Sequence, residues 1–156
     1  MRPKFIVDLN VGKLAKWLRV LGYDTLFFTG PDDNEMIRIA LREGRIILTK
    51  DSHILKRRVC TIGPLKVLLI RFDDVHGQLR QVAKALELES EAKEFSLCIE
   101  CNEPLVHQDK ALVEGQVPPY VYEQQESFMG CSRCRRIYWQ GSHWQRMKGE
   151  LAQLRQ

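Results

Sequence analysis

The sequence predicts an α/β fold, a parallel sheet covered by helices on both faces, followed by a smaller part held together by metal. Three observations predict it. Short apolar runs alternate with segments of helical periodicity from Phe5 to Leu86, the pattern of buried strands and crossover helices in a parallel sheet. Acidic residues, led by Asp8 and Asp51, stand at the ends of those runs. Behind them lie two cysteine knuckles, Cys98-Ile99-Glu100-Cys101 and Cys131-Ser132-Arg133-Cys134, which supply the four thiolates of a closed tetrahedral zinc site.

Phe5-Ile6-Val7 is too short for a helix and suits a buried strand. Val11, Leu14, Ala15, Leu18 and Leu21 then recur at helical spacing, with Trp17 broadening the face and Gly22 placed as the stop. Thr25-Leu26-Phe27-Phe28 is the second strand, closed by Gly30-Pro31. A helix from about Asn34 to Glu43 buries Met36 or Ile37, Ala40 and Leu41 and ends at Gly44. Arg45-Ile46-Ile47-Leu48-Thr49 is the third strand, and a short basic helix follows through Ile54-Leu55-Lys56-Arg57-Arg58. Lys66 to Arg71 forms the fourth strand, and a helix carrying Leu79, Val82, Ala83 and Leu86 completes the set. Residues 87–97, with Glu87, Glu89, Glu91 and Glu94, read as a helix end and linker, so the domains are expected at 1–90 and 91–156. The second contains an insertion through Pro118-Pro119-Tyr120 and a final helix from Trp144 with a fraying polar tail.

A chain of 156 residues suffices for one ordinary domain, or a compact domain plus a small metal-held one. Its net charge of +4 is unevenly placed: residues 1–97 carry 17 Lys and Arg against 13 Asp and Glu, and residues 98–156 carry 7 of each. A basic domain that also groups carboxylates can hold a polyanion and a divalent cation together, although charge alone describes a solvated surface equally well. The apolar run near the start is too short for a signal peptide, and no stretch reaches the length of a membrane span. With four cysteines spaced for metal, reduced cytoplasm is the expected compartment. Cys60 stands alone and reads as a packed bystander rather than a nucleophile.

In an open α/β sheet, functional groups gather at the carboxyl ends of the strands. Asp8 follows the first strand, Asp51 the third and Asp73-Asp74 the fourth, while Asp32, Asp33 and Glu35 open the second helix. Clustered carboxylates repel unless a cation compensates; Mg²⁺ or Mn²⁺ does so with one or two carboxylates, leaving positions for water and phosphate. Such a site activates water against a phosphodiester. Each acid also has a plainer reading. Asp73 or Asp74 suits an N-cap, Asp32-x-x-Glu35 has capping-box spacing, Asp51 can cap the short helix after it, and Asp24 reads as a turn residue. Asp8, an acid amid apolar residues on a central strand, needs a partner.

Phe5-Ile6-Val7-Asp8, the run Leu14 to Asp24, and Gly44-Arg45-Ile46-Ile47-Leu48-Thr49-Lys50-Asp51 resemble the PIN-like ribonuclease family found at the C-terminus of the Mut-seven exonuclease. Cys98-x-x-Cys101-Asn102, Val117-Pro118-Pro119, Cys131-x-x-Cys134 and Tyr138-Trp139-Gln140-Gly141-Ser142-His143-Trp144 resemble the zinc ribbon which that family appends. The resemblance implies a PIN-like parallel sheet flanked by helices with a C-terminal zinc ribbon, acting on RNA as a metal-dependent ribonuclease. Its catalytic carboxylates map to Asp8, Asp33, Glu35 and Asp51, with Asp8 and Asp51 holding Mg²⁺ or Mn²⁺. A fourth acid maps loosely near Asp73 or Asp74. Many members have Gly-Met after the first acid where this chain has Leu9-Asn10, a departure that leaves the carboxylate motif intact.

Cys98, Cys101, Cys131 and Cys134 are expected to hold a structural Zn²⁺, with disulfides as the competing reading. His107 and His143 are then not needed as ligands, and His143 reads as a packed, hydrogen-bonded histidine. Tyr138, Trp139 and Trp144 read as ribbon core in preference to platforms for bases. Phosphate contacts are expected from Arg45, Lys50, Arg57, Arg58, Arg133, Arg135 and Arg136. The rival reading is a non-catalytic RNA- or ribosome-binding module whose acids serve as caps. A phosphoacceptor domain built on Asp51 would need paired acids on the first strand, and Asp8-Leu9-Asn10 offers one.

Overall fold

The computed structural model describes residues 2–88 and 94–154, and backbone contacts divide the chain into Met1–Asn102 and Glu103–Gln156. In the first unit β1 (Lys4–Val7), β2 (Thr25–Phe27), β3 (Arg45–Thr49) and β4 (Val67–Leu69) form a parallel sheet in the order β2-β1-β3-β4. The helices are α1 (Gly12–Val20), α2 (Asp33–Glu43), α3 (Arg58–Thr61) and α4 (Val75–Ala85). The chain steps outward from β1 to β2, then returns past β1 to β3. With right-handed crossovers, that reversal puts α1 and α2 on opposite faces.

Alternation along the strands feeds both faces. Ile6 and Ile47 pack with Met36, Ile37, Ala40, Ile54 and Leu65 in one core. Phe5, Val7, Leu14, Leu18, Leu79 and Val82 are buried, and on that other face α1 meets α4, with the Trp17 ring edge-on to His76 at 5.4 Å. Gly22 and Gly44, the expected helix stops, both take left-handed φ, +84° and +68°, where a Cβ is disfavoured. Two expectations need correction. Leu41 is 40 % exposed rather than buried, because it lies about 140° round the helix from Met36, at the flank of the apolar stripe. The basic segment is not one helix: a 3₁₀ turn, Ser52–Lys56, is broken from α3 by extended Arg57.

The first knuckle is bonded into this unit. Arg19, 7 % exposed, donates from Nε to the Thr25 carbonyl (2.9 Å) and from Nη1 to the Ile99 carbonyl (2.8 Å). Asn102 accepts the Thr25 amide on Oδ1 (2.9 Å) and donates from Nδ2 to Asp24 Oδ1 (2.6 Å). Glu89 and Glu91 of the expected linker, the expected boundary at 90/91 and the tail residues Arg155 and Gln156 lie outside the described residues.

In the second unit β5 (Val106–Gln108), β6 (Phe128–Gly130) and β7 (Ile137–Tyr138) form an antiparallel sheet in that order. It carries α5 (Lys110–Val113), α6 (Pro119–Gln124) and α7 (Ser142–Leu154). Pro119 opens α6, where its fixed φ suits the first turn. Val113, Val117, Val121 and Phe128 form the core, and Tyr122, Ile137 and Trp139 pack against it. His143 is hydrogen-bonded as expected, with Arg146 at 3.1 Å, but exposed rather than packed: it lies in the first turn of α7, which buries Met147 and Leu151. Among the described residues no helix is long and apolar enough to cross a membrane.

Candidate active site and metal centre

Strand order brings the key acids together. Asp8 leaves β1 and Asp51 follows β3, neighbours at the point where the order reverses, the place where open α/β sheets bind ligands. Pairing continues beyond β1 as the Asp8 amide donates to the Leu48 carbonyl (3.0 Å). Thr49, fully buried at the end of β3, donates from Oγ1 to Asp8 Oδ2 (2.7 Å) and accepts the Asp51 amide (3.0 Å). One hydroxyl therefore positions both acids. Asp8 Oδ1 also accepts the Leu9 amide (2.8 Å), and Asp51 Oδ1 accepts the His53 amide (2.9 Å) with His53 Nδ1 at 3.1 Å. Each is a cap and a rim carboxylate at once, which leaves lone pairs on both.

Asp33 joins them from the first turn of α2, while Asp32 does the capping by accepting the Asn34 amide (2.9 Å). Its carboxyl is held above the usual carboxylate range, first by burial and then by the negative charges of Asp8 and Asp51, against the pull of Arg57. Glu35 turns elsewhere, accepting two bonds from Arg38 at 2.6 and 3.1 Å, so only the Asp32 half of the capping box forms. The structure thus brings Asp8, Asp33 and Asp51 into one electrostatic field, while Glu35 is paired with Arg38.

The fourth strand contributes less. Asp74 caps α4 by accepting the Gly77 amide (2.8 Å). Exposed Asp73 pairs with Lys50, and that hydrogen bond holds its carboxyl below the usual range. Arg57 donates to Asn34 Oδ1 (2.6 Å), close enough to act on Asp33, and Arg58 is exposed at the start of α3. Arg45 is placed away from the rim. It starts β3 at the opposite edge, 7 % exposed, and bonds to Glu43 Oε1 (2.9 Å), Asp24 Oδ1 (2.9 Å) and the Phe5 carbonyl (3.1 Å). Burial works against ionisation of Asp24, but hydrogen bonds from Arg45 and Asn102 outweigh it and hold the carboxyl low. Asp24 is therefore a structural anchor rather than a simple turn residue. In the second unit Arg133 lies 3.8 Å from Glu103, and Arg135 and Arg136 are exposed.

The four sulfurs of Cys98, Cys101, Cys131 and Cys134 lie within 4.8 Å of one another, and none is in a disulfide. A tetrahedral zinc with bonds of ~2.3 Å needs sulfurs about 3.8 Å apart, so the set fits after slight contraction. The knuckles share one backbone turn. The Asn102 amide donates to the Cys98 carbonyl (2.8 Å) and the Arg135 amide to the Cys131 carbonyl (2.9 Å), with left-handed φ of +69° and +66° at Asn102 and Arg135. The Cys134 amide also points at Cys131 Sγ (3.5 Å). Neither His107 nor His143 belongs to the set. Among the described residues this is the group of three or more potential ligands gathered so closely. The acids are less tightly gathered. Their oxygen donors, and an Asp33 made costly to ionise by its neighbours, suit a hydrated hard cation that needs one or two direct carboxylates.

An open parallel α/β sheet with carboxylates at its switch point, together with a four-cysteine centre consistent with a zinc ribbon, defines the class of this protein. The profile of the Mut7-C RNAse domain family matches residues 3–151, and the chain belongs to that family. No curated protein and no solved structure matches the chain. Membership brings a ribonuclease-type function with RNA as substrate. The residue that sequence reasoning missed is Thr49; a β-branched hydroxyl ending a strand two residues before an acid is the signal that could have found it.

Proposed function

We propose that the chain is a divalent-metal-dependent ribonuclease that hydrolyses RNA phosphodiester bonds at the Asp8–Asp33–Asp51 rim. The catalytic part is the PIN-like domain, residues 1–90, and the zinc ribbon, residues 91–156, is structural. The supporting observation is the bridge through Thr49, which ties Asp8 to Asp51 across neighbouring strands while both raise the carboxyl of Asp33. Mg²⁺ or Mn²⁺ held there would supply an acidified water and charge neutralisation at the phosphate. Asp8 and Asp51 would hold the ion, and Asp33 would orient water beside it. Arg57, already within the field of Asp33, and Lys50 neutralise phosphate oxygens. Glu35 has no direct part in this arrangement, since Arg38 holds it.

The test compares zinc-loaded parent with Asp8→Asn and Asp51→Asn for Mn²⁺ binding by calorimetry and for cleavage of a mixed RNA pool. The reading expects both variants to lose Mn²⁺ binding and cleavage. Folded variants that cleave as fast as the parent would sink it. The caps made by Asp8 and Asp51 favour one rival, a non-catalytic RNA- or ribosome-binding module. RNA binding without divalent metal, and no cleavage of any RNA with it, would establish that rival.

A further inference from the structure

The two edges of the parallel sheet are finished differently. At its amino edge Tyr23 is 1 %, Leu65 5 % and Arg45 7 % exposed, while Ile62, ahead of β4, is 74 % exposed. At the carboxyl edge, beside the acids, Phe27 and Phe72 are left 40 % and 47 % exposed. Scattered exposed apolar residues are ordinary. These two are distinguished by their positions.

Phe27 ends β2 in register with Val7, and the next amide, that of Phe28, donates to the Val7 carbonyl (2.9 Å). Phe27 therefore stands one strand from Asp8. Phe72 follows β4, where the Ile70 amide donates to the Thr49 carbonyl (2.7 Å), so it stands one strand from Asp51 on the other side. Strands lie ~4.8 Å apart, and the order β2-β1-β3-β4 sets the two positions about 14 Å apart along the rim, with the two strands that carry Asp8 and Asp51 between them.

Both rings rest on glycines in the first turns of helices that share one face. A Cβ at Gly12, which starts α1, would come within 2.8 Å of Phe27 Cζ, and one at Gly77 in α4 within 2.9 Å of Phe72 Cδ1. Glycine lets each ring lie against backbone, which holds it while much of its surface stays in water. Cations stand among them: Lys50 beside Asp73, Arg57 near Asp33, and exposed Arg71 next to Phe72. Apolar rings spaced between cations match a strand of unpaired nucleotides, which offers alternating bases and phosphates.

We propose that Phe27 and Phe72 are stacking platforms for unpaired bases on either side of the scissile phosphate, and that they make the site selective for single-stranded RNA. In a duplex the bases are already stacked on one another and cannot reach such platforms. The inference rests on the ribonuclease reading of the same rim.

The test uses the zinc-loaded full chain and a short unpaired RNA carrying 2-aminopurine, whose fluorescence is quenched on stacking, alongside the same RNA in a duplex. Binding is measured without added divalent metal and cleavage with Mn²⁺. Phe27→Ala and Phe72→Ala should each weaken binding of the unpaired RNA about tenfold, relieve the quench and raise KM more than they lower kcat. Phe27→Tyr and Phe72→Tyr keep a ring and should behave like the parent, and urea midpoints confirm that all four variants fold. Alanine variants that bind, quench and cleave like the parent overturn the platforms and leave the ribonuclease reading standing. A parent that binds and quenches without cleaving anything keeps the platforms and overturns the ribonuclease reading. A parent that prefers the duplex, or binds neither RNA, overturns the inference.

Discussion

Thr49→Val replaces one hydroxyl by a methyl at a fully buried position and isolates the contact on which the rim depends. The lost hydrogen bond runs to an ionised carboxylate at 2.7 Å, a class worth about 1.5–3 kcal/mol. The Asp51 amide also loses its 3.0 Å acceptor, at a further cost of about 1 kcal/mol. Against these, Asp8 is half-buried and regains water, and the new methyl adds apolar burial of up to about 0.8 kcal/mol. The net expectation is about 2 kcal/mol of destabilisation, or roughly 4–8 °C in Tm for a chain of this size. Thr49→Ser keeps the hydroxyl and should cost about 1 kcal/mol through its lost methyl. Urea unfolding of zinc-loaded protein gives the stabilities, and calorimetry gives Mn²⁺ affinity. Affinity should fall about tenfold or more in the valine variant and stay within about threefold in the serine variant. A valine variant within about 0.5 kcal/mol of the parent, with unchanged Mn²⁺ affinity, would refute the positioning role.

Asp33 has a raised carboxyl in the folded chain, so its proton is held more tightly folded than unfolded; the associated stability is present below the unfolded carboxylate range and lost as pH rises from there through the raised folded value. Metal-free Asp33→Asn should therefore gain on the parent as pH rises from 4 to 7, by a few tenths of a kcal/mol at a part-exposed site, and should bind Mn²⁺ more weakly; a flat difference in urea midpoint across that range would contradict the raised carboxyl. Arg45→Ala leaves Asp24 without its guanidinium and Glu43 with Arg42 alone and should lower stability by about 2–3 kcal/mol, less than a fully buried pair because Asp24 is part-exposed. RNA affinity should hold within about twofold, a result opposite to that of a phosphate-binding arginine, which would lose affinity and salt dependence together. Zinc chelation should lower the urea midpoint of the sheet unit, since Cys98–Asn102 is bonded to Thr25, Asp24 and Arg19. Asn102→Ala should weaken zinc affinity about tenfold in a chelator competition, and unchanged affinity would show that the side chain does not support the knuckle.

Much of the fold was legible because its signals are local. The apolar runs at Phe5, Thr25, Arg45 and Lys66, the glycine stops at 22 and 44, and the cysteine spacing each lie within a few residues, and each formed what it indicated. The rim was only partly legible. Asp8 and Asp51 could be picked out as strand-end acids, but Asp33 and Glu35 are two residues apart on one helix, and nothing in their spacing says which turns toward the sheet. Arg45 and Arg57 look alike in sequence, yet one is buried against Asp24 and Glu43 while the other stands in the field of Asp33.

The sequence alone determined the four strands of the parallel sheet, helices α1, α2 and α4, the four thiolates and which acids end a strand, because periodicity, capping and turn chemistry act between near neighbours. Tertiary structure decided that β1 lies beside β3, that Thr49 reaches both Asp8 and Asp51, and that Phe27 closes the strand beside β1. Those outcomes depend on strand order and register across 20 to 40 residues of chain. They are selected by how both faces of the sheet pack at once, a condition that no single segment carries.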